Sequence, residues 1–133
     1  MEEKVRSIMR RGAITCSETT SVRDVAQIMI VNRSRYCVVI NREHEVTGII
    51  SADSILRAFG KDPDTTTAAD ILLPHSIITT PVTPLREAID VMSRKRIEHL
   101  IVVSDRPGSK AVLGIVFSSD IVRRMAEGKG GRE

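Results

Sequence analysis

The sequence predicts a mixed α/β (α+β) fold in which two pseudo-symmetric β-α-β-β-α repeats pack as one module. The first sign is a short pattern that occurs twice, at 48–56 and 114–122: an apolar strand end, a small polar corner and the first turn of an amphipathic helix. The second sign is that the same order of strand and helix patterns surrounds both copies. Because a unit of about 55 residues buries little surface alone, the two units are expected to share one module.

Aligning the sequence with itself supports the duplication position by position. An offset of 63 residues places Ile14 on Ile77, and after the second hairpin an offset of 66 places Ser54 on Asp120. A stretch rich in Gly, Pro, Asp and Thr separates the two copies. The predicted organisation is a first repeat with a lead-in helix over residues 1–60, a linker over 61–68, a second repeat over 69–126 and a disordered tail over 127–133.

Hydrophobic periodicity predicts the elements of the first repeat. Val22, Val25 and Met29 follow the spacing of one buried helix face, and Thr20 lies where an N-cap is expected. Two β-branched apolar runs separated by a polar turn predict a hairpin after this helix. In order, the expected elements are a lead-in helix over 1–11, a strand over 13–16, a helix over 22–31, strands over 36–40 and 46–50, and a helix over 51–59.

The second repeat follows the same order. Thr83 is expected to cap a helix whose first residue is Pro84, the position that proline favours, and Leu85 and Met92 lie on its apolar face. Pro74 is expected to stop a short helix before it. In order, the expected elements are a helix over 69–73, a strand over 77–78, a helix from 84, strands over 99–103 and 111–117, and a helix over 119–125.

Composition narrows the classes of function. Aromatic residues make up only 2% of the chain, so the core must be aliphatic and the stacking platforms of single-strand nucleic-acid binders are not expected. The net charge of +3 is modest, and nucleic acid is not the expected partner. Weak nucleic-acid binding through basic residues near the two ends remains an alternative. These residues are Arg10, Arg11, Arg123, Arg124 and Lys129.

Several other kinds of site are not expected. The sequence has no GxSxG, Walker A or paired-carboxylate pattern, and His99 has no partner residue at ligand spacing. Cys16 and Cys37 lack CxxC or Cys/His spacing, so we expect two small apolar residues in a reducing compartment. We therefore expect no enzymatic activity, no metal and no required cofactor. With no apolar run of bilayer length and no signal peptide, we expect a cytoplasmic protein without a membrane partner.

These patterns together resemble a tandem pair of cystathionine-β-synthase (CBS) domains, the Bateman module. Residues 5–9 (VRSIM) resemble the family's opening V-x-D-I-M, and 98–103 (EHLIVV) resemble x-H-L-P-V-V. The segments 20–25 (TSVRDV) and 83–88 (TPLREA) resemble the start of the family's first helix. The corners at 48–56 and 114–122 resemble its closing G-h-h-T/S-x-x-D-h-h. The resemblance extends from Val5 to about Met125.

The resemblance implies a regulatory module without enzymatic activity. Such pairs bind adenosine-containing ligands (AMP, ADP, ATP or S-adenosylmethionine) in clefts between the two repeats. They commonly form disc-shaped homodimers and act on a regulated protein, which the sequence does not identify. The alternative is a dimeric interaction scaffold whose ligand sites have degenerated, because neither corner carries the complete family motif.

Carried over by resemblance, pocket A joins the first repeat to the second corner. Asp120 would accept the ribose hydroxyls, and Arg35 suits a phosphate group. Phe117 stands where the family has Thr or Ser, and Ser118 would partly substitute for the missing hydroxyl. The full set is Ala13, Ile14, Thr15, Ser34, Arg35, Tyr36, Gly114, Ile115, Phe117, Ser118 and Asp120.

Pocket B would join the second repeat to the first corner, and its residues suit a nucleotide less well than those of pocket A. Ser51 supplies the hydroxyl, but Ser54 stands at the position of the ribose carboxylate. Asp53 comes one place early and should point elsewhere, because one residue turns a helix by about 100°. Glu98 would repel a phosphate, so pocket A is preferred. The full set of pocket B is Ser76, Ile77, Ile78, Ile97, Glu98, His99, Gly48, Ile49, Ser51 and Ser54.

Overall fold

The computed structural model describes residues 2–127, so the predicted tail lies, from residue 128 onward, outside the described residues. The chain divides into two compact units. The first unit is Ala13–Ser76, and the second unit combines the segment up to Gly12 with the segment from Ile77 onward. Within residues 2–127 there are two four-stranded sheets and five α-helices, which confirms the predicted mixed fold.

The chain begins with a 3₁₀ turn at Val5–Ser7 and a two-residue strand, in place of the helix predicted over 1–11. From residue 13 onward the helices and strands follow the predicted order, except for one unpredicted strand at Leu73–Pro74. The elements up to residue 74 are β1 (Arg10–Arg11), β2 (Thr15–Ser17), α1 (Val22–Val31), β3 (Tyr36–Ile40), β4 (Val46–Ser51), α2 (Ala52–Arg57), α3 (Ala68–Ile71) and β5 (Leu73–Pro74). The remaining elements are β6 (Ile78–Thr79), α4 (Leu85–Lys95), β7 (His99–Val103), β8 (Val112–Phe117) and α5 (Ser118–Ala126).

Both predicted threonine caps are wrong, and for the same reason. The Thr20 hydroxyl accepts from the Ser17 amide at 3.1 Å, and the Thr83 hydroxyl accepts from the Thr80 amide at 3.4 Å. Each threonine therefore closes the turn before its helix. Ser21 caps α1 by accepting from the Asp24 amide at 3.1 Å, and α4 begins at Leu85 after Pro84, which is its N-cap and not its first residue.

The short helix before Pro74 also differs from the prediction. It ends at Ile71, and Leu73 and Pro74 form an edge strand, where a proline is tolerated because no partner needs its missing N–H. The other boundaries shift by one or two residues. The strands predicted over 13–16 and 77–78 lie at Thr15–Ser17 and Ile78–Thr79, and the helices predicted over 51–59 and 119–125 lie at Ala52–Arg57 and Ser118–Ala126.

Each sheet includes a two-residue edge strand. β1 precedes β2 of the first unit in the sequence but belongs to the sheet of the second unit, and β5 precedes β6 of the second unit but belongs to the sheet of the first. In the first unit the strand order is β2-β3-β4-β5, and in the second it is β1-β8-β7-β6. The short edge strands β5 and β1 lie antiparallel to the long strands β4 and β8, with Pro74 opposite Gly48 and Arg11 opposite Gly114. The lead-in segment is thus part of the sheet of the second unit.

Each unit has its own aliphatic core. In the first unit Val25 and Met29 of α1 pack with Val39 and Ile50 of the sheet. In the second unit the lead-in contributes directly, because Val5 and Met9 pack against α4 and the sheet. The buried members of this second core are Val5, Met9, Ala88, Met92, Leu100, Val102 and Val116.

The two cysteines lie in the interior, as small apolar residues would. Cys16 and Cys37 are free thiols buried in the core of the first unit. The hydrogen bond with Cys16, together with burial, raises the pKa of the Cys37 thiol, so this side chain stays protonated.

The glycine of each repeated corner is required by the edge strand that passes it. A Cβ atom on Gly114 would overlap the carbonyl oxygen of Arg10, and one on Gly48 would overlap the carbonyl oxygen of Leu73. Only glycine permits the edge strand to approach the long strand this closely. The doubled glycine therefore has a structural role in both units.

We predict that Gly114→Ala destabilises the protein by about 1–3 kcal/mol, since the added methyl group must push β1 away from β8. Chemical denaturation monitored by circular dichroism would measure the free energy of unfolding. Ser119→Ala, a change at an exposed position of α5, is the control and should stay within about 0.5 kcal/mol of wild type. A Gly114→Ala protein as stable as the control would contradict the close approach.

We also predict that Val5→Ala costs about 2 kcal/mol, because Val5 is fully buried in the second core although it lies in the lead-in segment. The same unfolding measurement applies. The control is Arg6→Ala, its exposed neighbour, which should change stability little. Equal and small effects of both substitutions would show that the lead-in is not part of the core.

Candidate functional site

Each repeated corner lies where a long strand ends and the next helix begins. In the first unit β4 ends at Ser51 and α2 follows, and in the second unit β8 ends at Phe117 and α5 follows. The antiparallel register places the start of the central strand opposite each corner: Tyr36 pairs with Ser51, and His99 pairs with Phe117. Backbone N–H groups of a helix start therefore lie beside the first residues of a central strand in both units.

The predicted pocket residues are distributed over both units. The first unit holds residues 13–15 and 34–36, the corner at 48–54 and Ser76, whereas the second unit holds residues 77–78 and 97–99 and the corner at 114–120. Pockets A and B each draw on both sets, so their assembly remains a prediction.

Asp120 is the most strongly engaged residue of the predicted site. Its side chain is 8% exposed and lies in the first turn of α5. The Arg10 side chain donates from Nη2 to Oδ1 at 2.8 Å and from Nε to both carboxylate oxygens at 3.1 Å. The Arg123 side chain donates to Oδ1 at 3.3 Å, and the Phe117 amide donates to Oδ2 at 3.3 Å. The carboxylate is thus charge-paired and also caps the start of its helix.

Phe117 contributes its ring to the same cluster. The guanidinium carbon of Arg10 lies 5.1 Å from the centroid of the ring, within the range of a cation–π interaction. Ser118, the predicted substitute for the family's hydroxyl, is half-buried, and its amide donates to the Glu98 carbonyl at 2.9 Å. Arg10, Asp120 and Phe117 form one cluster, which we call the Arg10 cluster.

The first corner has a neutral and self-contained arrangement. The Ser54 amide donates to the Ser51 hydroxyl at 3.3 Å, and the Ser51 amide donates to the Ser54 hydroxyl at 3.2 Å. Ser54 is only 3% exposed. Asp53 instead points outward, as expected from its place one residue before Ser54, and pairs with Arg57 at 2.8 Å. The two serines cap α2, and the position equivalent to Asp120 carries the neutral Ser54.

The predicted residues at the strand starts differ in their local roles. The Ser34 hydroxyl donates to the Tyr36 carbonyl at 2.7 Å and accepts from the Tyr36 amide at 3.1 Å, so it shapes the turn before β3. The Arg35 side chain is exposed. Ser76 has a buried hydroxyl for which residues 2–127 provide no hydrogen-bond partner.

His99 is half-buried at the start of β7. Burial lowers the pKa of its imidazole, and the nearby Glu98 carboxylate opposes this shift. The imidazole is therefore neutral at neutral pH. In the part of the chain that the structure describes, no group of three His, Cys, Asp or Glu residues is placed to hold a metal ion. The same residues include no helix that is long and apolar enough to cross a membrane.

The sequence prediction found Asp120 but missed Arg10 as its partner. The self-alignment did contain a signal: Arg10 aligns with Leu73 and Asp120 aligns with Ser54. Both members of the charged pair are thus replaced together in the other copy.

Comparison with known proteins gives a consistent result. The CBS domain family matches the chain twice, over residues 5–61 and 68–127. An uncharacterized protein of Methanopyrus kandleri is 30% identical over 122 residues, which cover 90% of this chain and 61% of that protein. A homoserine O-acetyltransferase of Methanosalsum zhilinae is 28% identical over 118 residues, which cover 88% of this chain and 23% of the enzyme. The chain therefore spans less than two thirds of either curated relative.

A similar solved structure is the CBS domain pair of protein MJ0100 in complex with 5′-methylthioadenosine and S-adenosyl-L-methionine. It is 25% identical to this chain, with a TM-score of 0.76, and the match covers all of both chains. The duplicated corner, the two sheets of matching topology and the two family matches lead to one conclusion: this chain belongs to the CBS domain family, as a tandem pair of CBS domains.

Proposed function

We propose that the chain is a non-enzymatic regulatory module that binds an adenosine-containing ligand (AMP, ADP, ATP or S-adenosylmethionine) at the corner that carries Asp120. The observation that carries the proposal is the carboxylate of Asp120, which is nearly buried in the first turn of α5. Its counterpart in the other repeat is the neutral Ser54. The adenosyl compounds bound in the MJ0100 structure support this ligand class.

The chemistry of the corner suits a nucleoside. A carboxylate accepts hydrogen bonds from two neighbouring hydroxyl groups, as the ribose of an adenosine ligand presents them. Exposed arginines such as Arg35 suit a phosphate group, because the guanidinium offers several donors in a fixed geometry. The remaining residues of pocket A would contact the base and sugar as the resemblance implies.

Pocket B is the weaker candidate. Ser51 and Ser54 bond to each other, and Glu98, exposed next to His99, adds a negative charge that a phosphate would avoid. A ligand with fewer negative charges suits it better. The buried hydroxyl of Ser76 would gain a hydrogen bond from such a ligand.

We further propose that a second copy of the chain completes a homodimer, which would act on a regulated protein in the cytoplasm. Large apolar side chains are exposed at equivalent positions in or just after the second helix of each repeat. Leu56 in α2 and Phe59, two residues after its end, are 71% and 93% exposed, and Val122 and Met125 in α5 are 67% and 76% exposed. Exposed apolar groups repeated in this way are typical of an interaction surface. This surface is also the observation that favours the dimeric scaffold as the second candidate function.

The ligand proposal predicts that millimolar AMP, ADP, ATP or S-adenosylmethionine raises the melting temperature, since a ligand bound only to the folded state stabilises it. The measurement is differential scanning fluorimetry on wild type, Asp120→Asn and the control Asp53→Asn, which removes the same charge from the exposed acid of the other corner. The shift should disappear in Asp120→Asn and persist in Asp53→Asn. No shift with all four compounds, or an equal shift in both variants, would refute the proposed site.

The dimer proposal predicts that Phe59→Glu raises the dimer dissociation constant at least about tenfold, because a charge must then enter an apolar contact. Light scattering over a dilution series measures the dissociation constant. Arg57→Glu, which places the same charge on an already polar part of α2, should leave it nearly unchanged. A wild-type chain that is monomeric at all concentrations would end this proposal.

A further inference from the structure

The Asp120 carboxylate is already saturated with donors. Its two oxygens take part in five donor contacts, whereas a carboxylate has about four lone-pair directions. Three of the five contacts come from Arg10, one comes from the backbone amide that caps α5, and one comes from the exposed Arg123 at 3.3 Å. Two ribose hydroxyls can therefore bind this carboxylate only after Arg10 has left it.

Arg10 has a fixed backbone and an accessible side chain. Its strand β1 pairs with β8, with Arg10 opposite Ile115, and Gly114 lets the two backbones approach closely. The side chain itself is 55% exposed, so it can turn without unpacking the core. The ring of Phe117 gives the guanidinium a second favourable contact beside the corner.

The two repeats differ both at the position of Arg10 and at the position of Asp120. Arg10 lies opposite Ile115, and Leu73 lies opposite Ile49 at the equivalent place in the other sheet. The sheet that has Leu73 at this place has the neutral Ser54 at its corner, whereas the sheet that has Arg10 has Asp120. The cation and the carboxylate therefore occur together at one corner and are both absent from the other.

We propose that Arg10 is a specificity-determining residue: it occupies Asp120 in the free protein, yields it to the ribose hydroxyls, and then pairs with the phosphate of the ligand. This inference rests on the proposed adenosyl site at Asp120. A neutral nucleoside breaks the Arg10–Asp120 pair and offers the guanidinium no negative charge in return. A nucleoside phosphate breaks the same pair but supplies a new anion for the guanidinium. The corner therefore selects AMP over adenosine.

The test compares AMP with adenosine by isothermal titration calorimetry on wild type, Arg10→Leu, Arg10→Lys and the control Arg11→Leu. Leucine is the residue that the other repeat has at this place, and Arg11 is the exposed neighbour in the same strand. Wild type should favour AMP. Arg10→Leu should bind adenosine at least about fivefold more tightly than wild type does and should reduce the preference for AMP about tenfold. Arg10→Lys should retain part of the preference for AMP, and Arg11→Leu should retain all of it.

The possible results distinguish a failure of the Arg10 inference from a failure of the proposed adenosyl site. If Arg10→Leu weakens AMP and adenosine equally, or changes neither, then Arg10 has only a structural role and the inference is overturned. If neither compound binds to wild type or to Arg10→Leu, the adenosyl site itself fails. Circular dichroism spectra and melting curves of each ligand-free variant show whether it is folded before it is titrated.

Discussion

The close approach of β1 to β8 at Gly114 determines much of what the second unit can do. Because no side chain separates the two strands there, the lead-in segment becomes an edge strand of the sheet. Val5 and Met9 then reach the core on one side, and Arg10 reaches Asp120 on the other. One steric constraint thus places both a core-forming segment and a charged residue of the candidate site.

The same scaffold carries different chemistry in its two copies. Gly48 admits β5 beside β4 just as Gly114 admits β1 beside β8. At the first corner this geometry brings Leu73 opposite Ile49, and two serines cap α2. At the second it brings Arg10 to a nearly buried carboxylate. The duplication conserves the backbone arrangement, and the differences between the copies lie in the side chains, where ligand selection would reside.

The parts of the fold that the sequence predicted are those with a local signal. The apolar spacing from Val22 to Met29 and the alternation in the central strands repeat in both copies, so the core faces and the family follow from them. The cap residues were wrong because a threonine before a helix can close a turn as readily as it caps. The partner of Asp120 lies 110 residues away on a two-residue strand. Such a short strand has no periodicity, and only the joint replacement of Arg10 and Asp120 in the other repeat hinted at the pair.

The central claim is that the two corners, although alike in backbone, are unequal as binding sites. The most direct measurement is the stoichiometry of AMP binding to the wild-type chain, determined by equilibrium dialysis with labelled nucleotide up to saturation. We expect one AMP per chain, bound at the corner that carries Asp120. Two AMP molecules per chain with equal affinity would contradict it, because Ser54 and Asp120 would then be equivalent in function.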